Sequence, residues 1–366
     1  MNSRKPLLSQ GIMVILLSIG IMNHVFIIPL LLQATRRDAW ISVIISVVPL
    51  LVLTGMIYTI ARQMKDQKIE VWLERHFGKV VALVFKMLIS LFMFTICYYT
   101  LFDTTNWAKI TFLSATPVLV TSLILLALCF YAVVKGFKAI ATASGILLPI
   151  VVVLGIFIMI VNVQYKDYSQ LLPVLENGWK PVGTGIIYAC SGSFEIFVYL
   201  FLQPKLSKPA KSWQLLILAL VLVGLTLGPL IGAITIFDPF EAERQRYPAY
   251  EEWRIATLGK YISQTDFFSI YQWLSGAFIR ISLALYLMVD IWDINKKRTR
   301  ILTYLSLVIV LYCLNHYGPD DIHFLRFLKN YYFPASFVLL GLLTCILFIL
   351  AHISSRKKAH QDHGSG

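Results

Sequence analysis

Ten apolar stretches, each about as long as a bilayer core is thick, leave this chain few ways to fold. Their approximate limits are 10–33, 38–61, 80–102, 117–134, 139–161, 182–203, 213–237, 267–289, 301–317 and 331–353. An α-helix of roughly 17–25 residues crosses a ~30 Å hydrocarbon core. Hydrocarbon cannot satisfy a peptide N–H or C=O, so stretches of this kind are helical. Only 14% of the residues are charged, against about a quarter in soluble domains, and they cluster between the stretches. The mean hydropathy is +0.74. The chain therefore reads as an all-α polytopic membrane protein. Residues 1–353 form one transmembrane domain, and 354–366 form a disordered cytoplasmic tail.

The net charge of +13 invites a nucleic-acid reading, which its distribution argues against. With Lys and Arg assigned to alternate connections, about 19 fall on the side of the N-terminus and about 11 on the other. The remaining two, Lys86 and Arg280, lie inside stretches. Basic residues collect on the cytoplasmic face, so both termini are expected there. Runs such as Lys296-Lys297-Arg298 and Arg356-Lys357-Lys358 then set topology and favour anionic membrane lipid, not nucleic acid. The basic start at Arg4-Lys5 resembles a signal peptide, but no small-residue cleavage site follows, and a retained first span is expected. The five cysteines lie in spans without CxxC spacing, so packing is their expected role and no metal or cofactor is implied. The closing Gly-Ser-Gly looks like an appended tail.

Ten spans divide into two fives, and an odd number per half inverts the second half relative to the first. The repeats would run from about 10 to 161 and from about 182 to 353. Three features recur in matching places. The first span of each half has a polar, glycine-containing interruption: Gly20-Ile21-Met22-Asn23-His24 and Ser191-Gly192-Ser193-Phe194-Glu195. Each interrupted span ends at a proline, Pro29 or Pro204. In each half the longest connection follows the second span, and each such connection has a stretch suited to a surface helix. These are Ile69 to Phe77 and Tyr250 to Leu258.

Unwound backbone in mid-membrane persists only where it is buried in protein or lines a polar cavity. The half-helix beyond such a break offers free N–H groups and a positive dipole end. Gly20 to His24 is one candidate; the plainer alternative is a packing glycine with Asn23 and His24 bonded to neighbouring helices. In the sixth span, small residues precede Glu195 near the bilayer centre. A carboxylate there costs at least ~2.5 kcal/mol, so it faces a cavity or a partner. Arg280 in span eight lies at the same depth. The two are expected to face the interior within reach of each other, either fixing helix register or drawing in a solute carboxylate. Ile96 and Tyr99 in span three could cover a central pocket. Lys86 is expected to snorkel, and Asp103 to close span three. There is no phosphate loop, no HExxH and no serine elbow, and acyl transfer by His24 or His316 lacks a paired group, so the chain does not read as an enzyme.

In its ordered landmarks the chain resembles the B subunit of the GerA-type nutrient germinant receptors of endospore-forming bacteria. That family lies in the amino acid–polyamine–organocation superfamily and has the LeuT-type five-plus-five fold with helices one and six broken. The landmarks are Ile19-Gly20 leading to Pro29, Asp38-Ala39-Trp40, Thr116-Pro117, and Leu171-Leu172-Pro173-Val174-Leu175 with Gly178. They continue with Ser191 to Glu195 and Pro204, Trp273, and Gly318-Pro319-Asp320-Asp321. The resemblance implies a small nutrient, commonly an amino acid, bound between helices one, three, six and eight. Carried onto this sequence, it points to Gly20, Ile21, Asn23, His24, Ile96, Tyr99, Ser191, Gly192, Ser193, Glu195 and the middle of span eight. There, small hydroxyl residues are expected around 279–280, and Ile279-Arg280 stand instead. The resemblance also implies A and C subunits as partners and residence in the spore inner membrane.

The fold alone does not separate a receptor from an amino acid permease or from a structural subunit. Span 139–161 has no charge for proton coupling, and span eight offers Ser282 but no threonine for sodium. This favours ligand sensing by population shift.

Overall fold

The computed structural model describes residues 5–257 and 264–363, with side chains through 354. Arg4, the closing Gly-Ser-Gly and the end of the expected surface helix at Leu258 lie outside the described residues. Among the described residues there is no strand, and nine helical stretches are long and apolar enough to cross a membrane. The first of these, Leu8–Met64, has 57 residues, twice what one crossing needs. It turns at Arg36, whose φ of 51° breaks the helical path. The first two spans are joined there, which gives ten crossings.

Span one comprises α1 (Leu8–Ile21), a π-helical turn (Met22–Phe26) and α2 (Ile28–Thr35). Span two is α3 (Ala39–Ile45) with α4 (Val47–Met64), and the short α5 (Ile69–Phe77) follows. Spans three to five are α6 (Lys79–Thr111), α7 (Val118–Lys135) and α8 (Phe137–Val161). Span six is α9 (Trp179–Ser193), a 3₁₀ turn (Phe194–Val198) and α10 (Tyr199–Leu202). Span seven is α11 (Ser212–Arg244), followed by the short α12 (Pro248–Ile255). The last three are α13 (Phe267–Asp290), α14 (Lys297–His316), and α15 (Asp321–Phe327) leading through a π turn into α16 (Phe333–His363). Both short helices, α5 and α12, fall in the two long connections, as their amphipathic patterns led us to expect.

Burial shows which spans form the centre. The most apolar windows of spans six and eight are 89% and 83% buried, against 11% for span five and 17% for span nine. Spans five and nine therefore turn most of their surface to lipid. α13 packs against α6, α1, α8 and α7, so a side chain midway along α13 faces protein in every direction.

Three boundaries differ from the sequence reading. α6 runs to Thr111, so Asp103 lies within the helix rather than closing it. Hydropathy falls after Phe102, but backbone hydrogen bonding continues until the turn before Pro117. α11 continues past 237 to Arg244, kinked at Asp238 with φ 63°. α16 extends to His363, where a disordered tail is expected after 353. Adding turns to a helix already formed avoids the nucleation cost, and Arg, Lys, Ala and Gln are good helix formers.

Candidate functional site

The two interruptions stay helical. In span one the winding loosens: the Ile27 N–H bonds the Met22 carbonyl five residues back. Pro29 has no N–H to offer Val25, so the ladder is already one bond short at this point. In span six the winding tightens over Phe194–Val198. The expected unwound segments with open N–H groups are therefore replaced by one π turn and one 3₁₀ turn, each of which re-aims the side chains around it.

Asn23, in the π turn, joins the interruptions. Its Nδ2 donates to Ser193 Oγ at 3.1 Å and to the Leu222 carbonyl of α11 at 3.1 Å. Gly192 makes this approach feasible: a Cβ there would lie 2.4 Å from Asn23 Oδ1. Ser191 faces the other way and donates to the Phe333 carbonyl at 2.8 Å, tying span six to span ten.

One turn deeper, Arg280 is fully buried and saturates its guanidinium. Nη1 and Nη2 reach Glu195 Oε2 and Oε1, each at 2.6 Å. Nη1 also donates to the Ser18 carbonyl at 2.7 Å, Nε to Thr100 Oγ1 at 3.2 Å, and Nη2 to the Tyr99 hydroxyl. Tyr99 in turn donates to Met22 Sδ at 3.1 Å, and its ring lies 4.8 Å from that of Tyr332. Spans one, three, six and eight are thus joined through a single cation. A planar fork matched to a carboxylate is the geometry that best repays desolvating two charges. Ile96 lines the small space beside this pair, which holds about 20 Å³. Ser18, Thr100 and Tyr332 were missing from the sequence reading, and Met22 entered it only as part of the Gly20–His24 interruption. Nothing marks a helix-one carbonyl or one Thr among several as the partner of a distant arginine.

Gly20, Ile21 and His24 lie elsewhere. They line a cavity of about 320 Å³ between spans one, five, seven and eight, roofed by α12. His24 Nδ1 lies 3.1 Å from the Leu225 carbonyl. That carbonyl lacks its helical partner because residue 229, four positions on, is proline. His24 donates from Nδ1 to fill the gap, which leaves Nε2 as an acceptor when the ring is neutral. The eleven candidate residues therefore divide between a central charge cluster, a helix-one to helix-six contact and this outer cavity, with Ser191 apart from all three against span ten.

Ionic clusters close both ends of the bundle. On the side of the termini, Lys68 reaches Asp293 and Lys205 reaches Asp290, each at 2.5 Å, joining α5, span six and span eight. On the opposite side Arg246 pairs with Asp103 of α6 and, at 2.9 Å, with Asp321 at the start of α15. Lys86 lays its ammonium over Trp292, 6.0 Å from the ring centroid. Among the described residues no cluster of His, Cys, Asp and Glu could hold a metal ion.

The sequence matches the profile of a family described as "Spore germination protein" over residues 8–322. It is 38% identical to Spore germination protein XB of Bacillus anthracis, over 95% of this chain and 98% of that one. To Spore germination protein KB of Bacillus subtilis (strain 168) it is 24% identical over 69% of each. Among solved structures, the crystal structure of MhsT in complex with L-phenylalanine superposes with a TM-score of 0.60 at 12% identity. That match covers 96% of this chain and all of MhsT, a LeuT-fold transporter, and it establishes the fold.

Proposed function

Because this chain belongs to the spore germination protein family, we propose that it is the B subunit of a nutrient germinant receptor. In this reading it lies in the spore inner membrane with both termini cytoplasmic. It works with A and C subunits and binds a small nutrient, an amino acid, where helices one, three, six and eight converge.

The observation that carries this reading is the Glu195–Arg280 pair at the crossing of the two interrupted helices. A zwitterion entering there can exchange partners with it, its carboxylate taking Arg280 and its ammonium taking Glu195. No charge is left unpaired at any stage. The exchange would release spans six and eight from each other and pass the signal as a shift between bundle conformations. Only about 20 Å³ is open beside the pair, so the exchange requires the spans to move apart.

The test is germination of spores carrying Arg280→Lys, which keeps the charge and loses the fork. The nutrient concentration for half-maximal germination should rise at least ~10-fold, a loss of about 1.4 kcal/mol in binding. Immunoblots should find the protein at normal level in the inner membrane. An unchanged half-maximal concentration would remove Arg280 from ligand recognition. The transporter fold favours a second reading, that of an amino acid permease. Proteoliposomes that accumulate a radiolabelled amino acid against its gradient would establish it.

A further inference from the structure

The outer cavity is built differently from the centre. Its walls are apolar side chains of spans one, five, seven and eight, and its roof carries the carboxylate of Glu252 on α12. Glu252 is 8% exposed, and its Oε1 has no hydrogen-bonding partner. The carboxylate lies flat against α11 at Gly232, where a Cβ would sit 2.5 Å from Oε2. An unpaired buried carboxylate oxygen is costly unless something meets it.

The other polar groups of the cavity complete a pattern. Lys166, just beyond span five, also lines it and attracts Glu252 electrostatically, although Oε1 remains unbonded. The Trp253 indole N–H donates to Gln272 Oε1 at 3.1 Å, and Gln272 Nε2 donates to the Val151 carbonyl at 3.0 Å, so these two are satisfied. His24 presents Nε2 as an acceptor. The cavity thus offers one carboxyl group, which an incoming ammonium would ionise, one cation and one neutral acceptor around an apolar space.

Glycines keep that space open. Gly224 and Gly228 stand four residues apart on one face of α11, and a Cβ on either would meet nothing within 4 Å. Glycine in a membrane helix usually admits a close neighbour; here it widens a void. At about 320 Å³ the void falls within the roughly 300–1,000 Å³ typical of small-molecule pockets.

We infer that this cavity is a second, outer binding site for a small zwitterion with an apolar side chain, its ammonium on Glu252 and its anionic group on Lys166. The side chain fills the space beside Gly224 and Gly228 and reaches Gly20 at the first interruption. The site uses neither Arg280 nor Glu195, so it stands apart from the central reading. Ammonium, anionic group and apolar body also describe an ethanolamine-headgroup lipid. A void of this size favours the free solute over acyl chains.

The full chain in phosphatidylglycerol nanodiscs is titrated with radiolabelled L-leucine as the probe. Saturable binding is expected. Glu252→Gln and Gly228→Phe, which fills the void without touching the charges, should each weaken one binding component at least ~10-fold. Leucine methyl ester and N-acetyl-leucine, each lacking one charge, should fail to compete for that component. Arg280→Lys should leave it in place, which separates this site from the central one. Binding unaffected by both Glu252→Gln and Gly228→Phe would overturn the inference, as would competition by the methyl ester equal to that of leucine. Ethanolamine-headgroup lipid retained through purification and lost in Gly228→Phe, with no leucine binding, would assign the cavity to lipid and overturn it too.

Discussion

Arg280 and Glu195 meet fork to fork in the middle of the membrane, both N–O distances 2.6 Å, with the arginine wholly enclosed. Breaking a buried pair from one side typically costs about 3–5 kcal/mol, because the survivor is stranded. Glu195→Leu and Arg280→Met should each lower the melting temperature sharply in detergent. The double variant should recover much of that loss, since it strands no charge. A double variant as unstable as either single one would show that the pair does not act as a unit.

The contact between helices one and six can be tested through volume alone. Gly192→Ala puts a methyl 2.4 Å from Asn23 Oδ1 and 3.2 Å from Ile27 Cδ1. Asn23 is pinned by two hydrogen bonds and cannot swing aside, so overpacking should cost about 1–3 kcal/mol. Adding Asn23→Ala should return part of this loss, and the thermal melts of the four proteins in the cycle measure the coupling.

At the side opposite the termini, Arg246 pairs with Oδ1 of the almost fully buried Asp103, whose Oδ2 has no hydrogen bond. Arg246 itself keeps some contact with solvent. Arg246→Ala should therefore cost about 2–4 kcal/mol, somewhat less than breaking a fully buried pair. Asp103→Asn in the same chain should restore stability. Denaturant midpoints for the single and double variants check this.

Glu252 should give the protein a pH signature. Burial pushes its carboxyl up to about 8 against Lys166, which pulls it down, from an ordinary value of 4.5. Between those pH values the unfolded chain has released a proton that the folded chain retains. Stability therefore falls as pH rises from about 4.5 to about 8, and the loss is complete above that range. Across that window each step of one pH unit removes at most roughly 1.4 kcal/mol. Glu252→Gln should match the parent near pH 4.5 and melt at a higher temperature than the parent at pH 8.5. Parallel melting curves across this range would contradict the assignment.

The spans, both interruptions and the charge pair were legible because each rests on one strong physical constraint. An apolar run has no alternative in hydrocarbon, and two opposite charges at one depth have none but each other. The divergence of His24 from Asn23 was hidden. One helical step turns a side chain by about 100°, and the π turn re-aims both, so neighbours in sequence serve different spaces. Glu252 was hidden for a similar reason. It follows Glu251, which pairs in the open with Arg254, and only the packing of α12 over α11 tells them apart. The glycines of α11 gave no signal, since nothing in a sequence separates a glycine that admits a neighbour from one that keeps space clear.

Arg280 has one more consequence. Its guanidinium takes the Ser18 carbonyl of helix one, the kind of backbone oxygen that elsewhere could hold a mobile ion. A positive charge fastened to the chain can change partners, but it cannot be loaded on one side of the membrane and discharged on the other. At that position the bundle owns its counter-ion outright. An ion gradient cannot be read through that carbonyl while Arg280 holds it, and in the proposed receptor the centre would register the concentration of whatever competes for its charges.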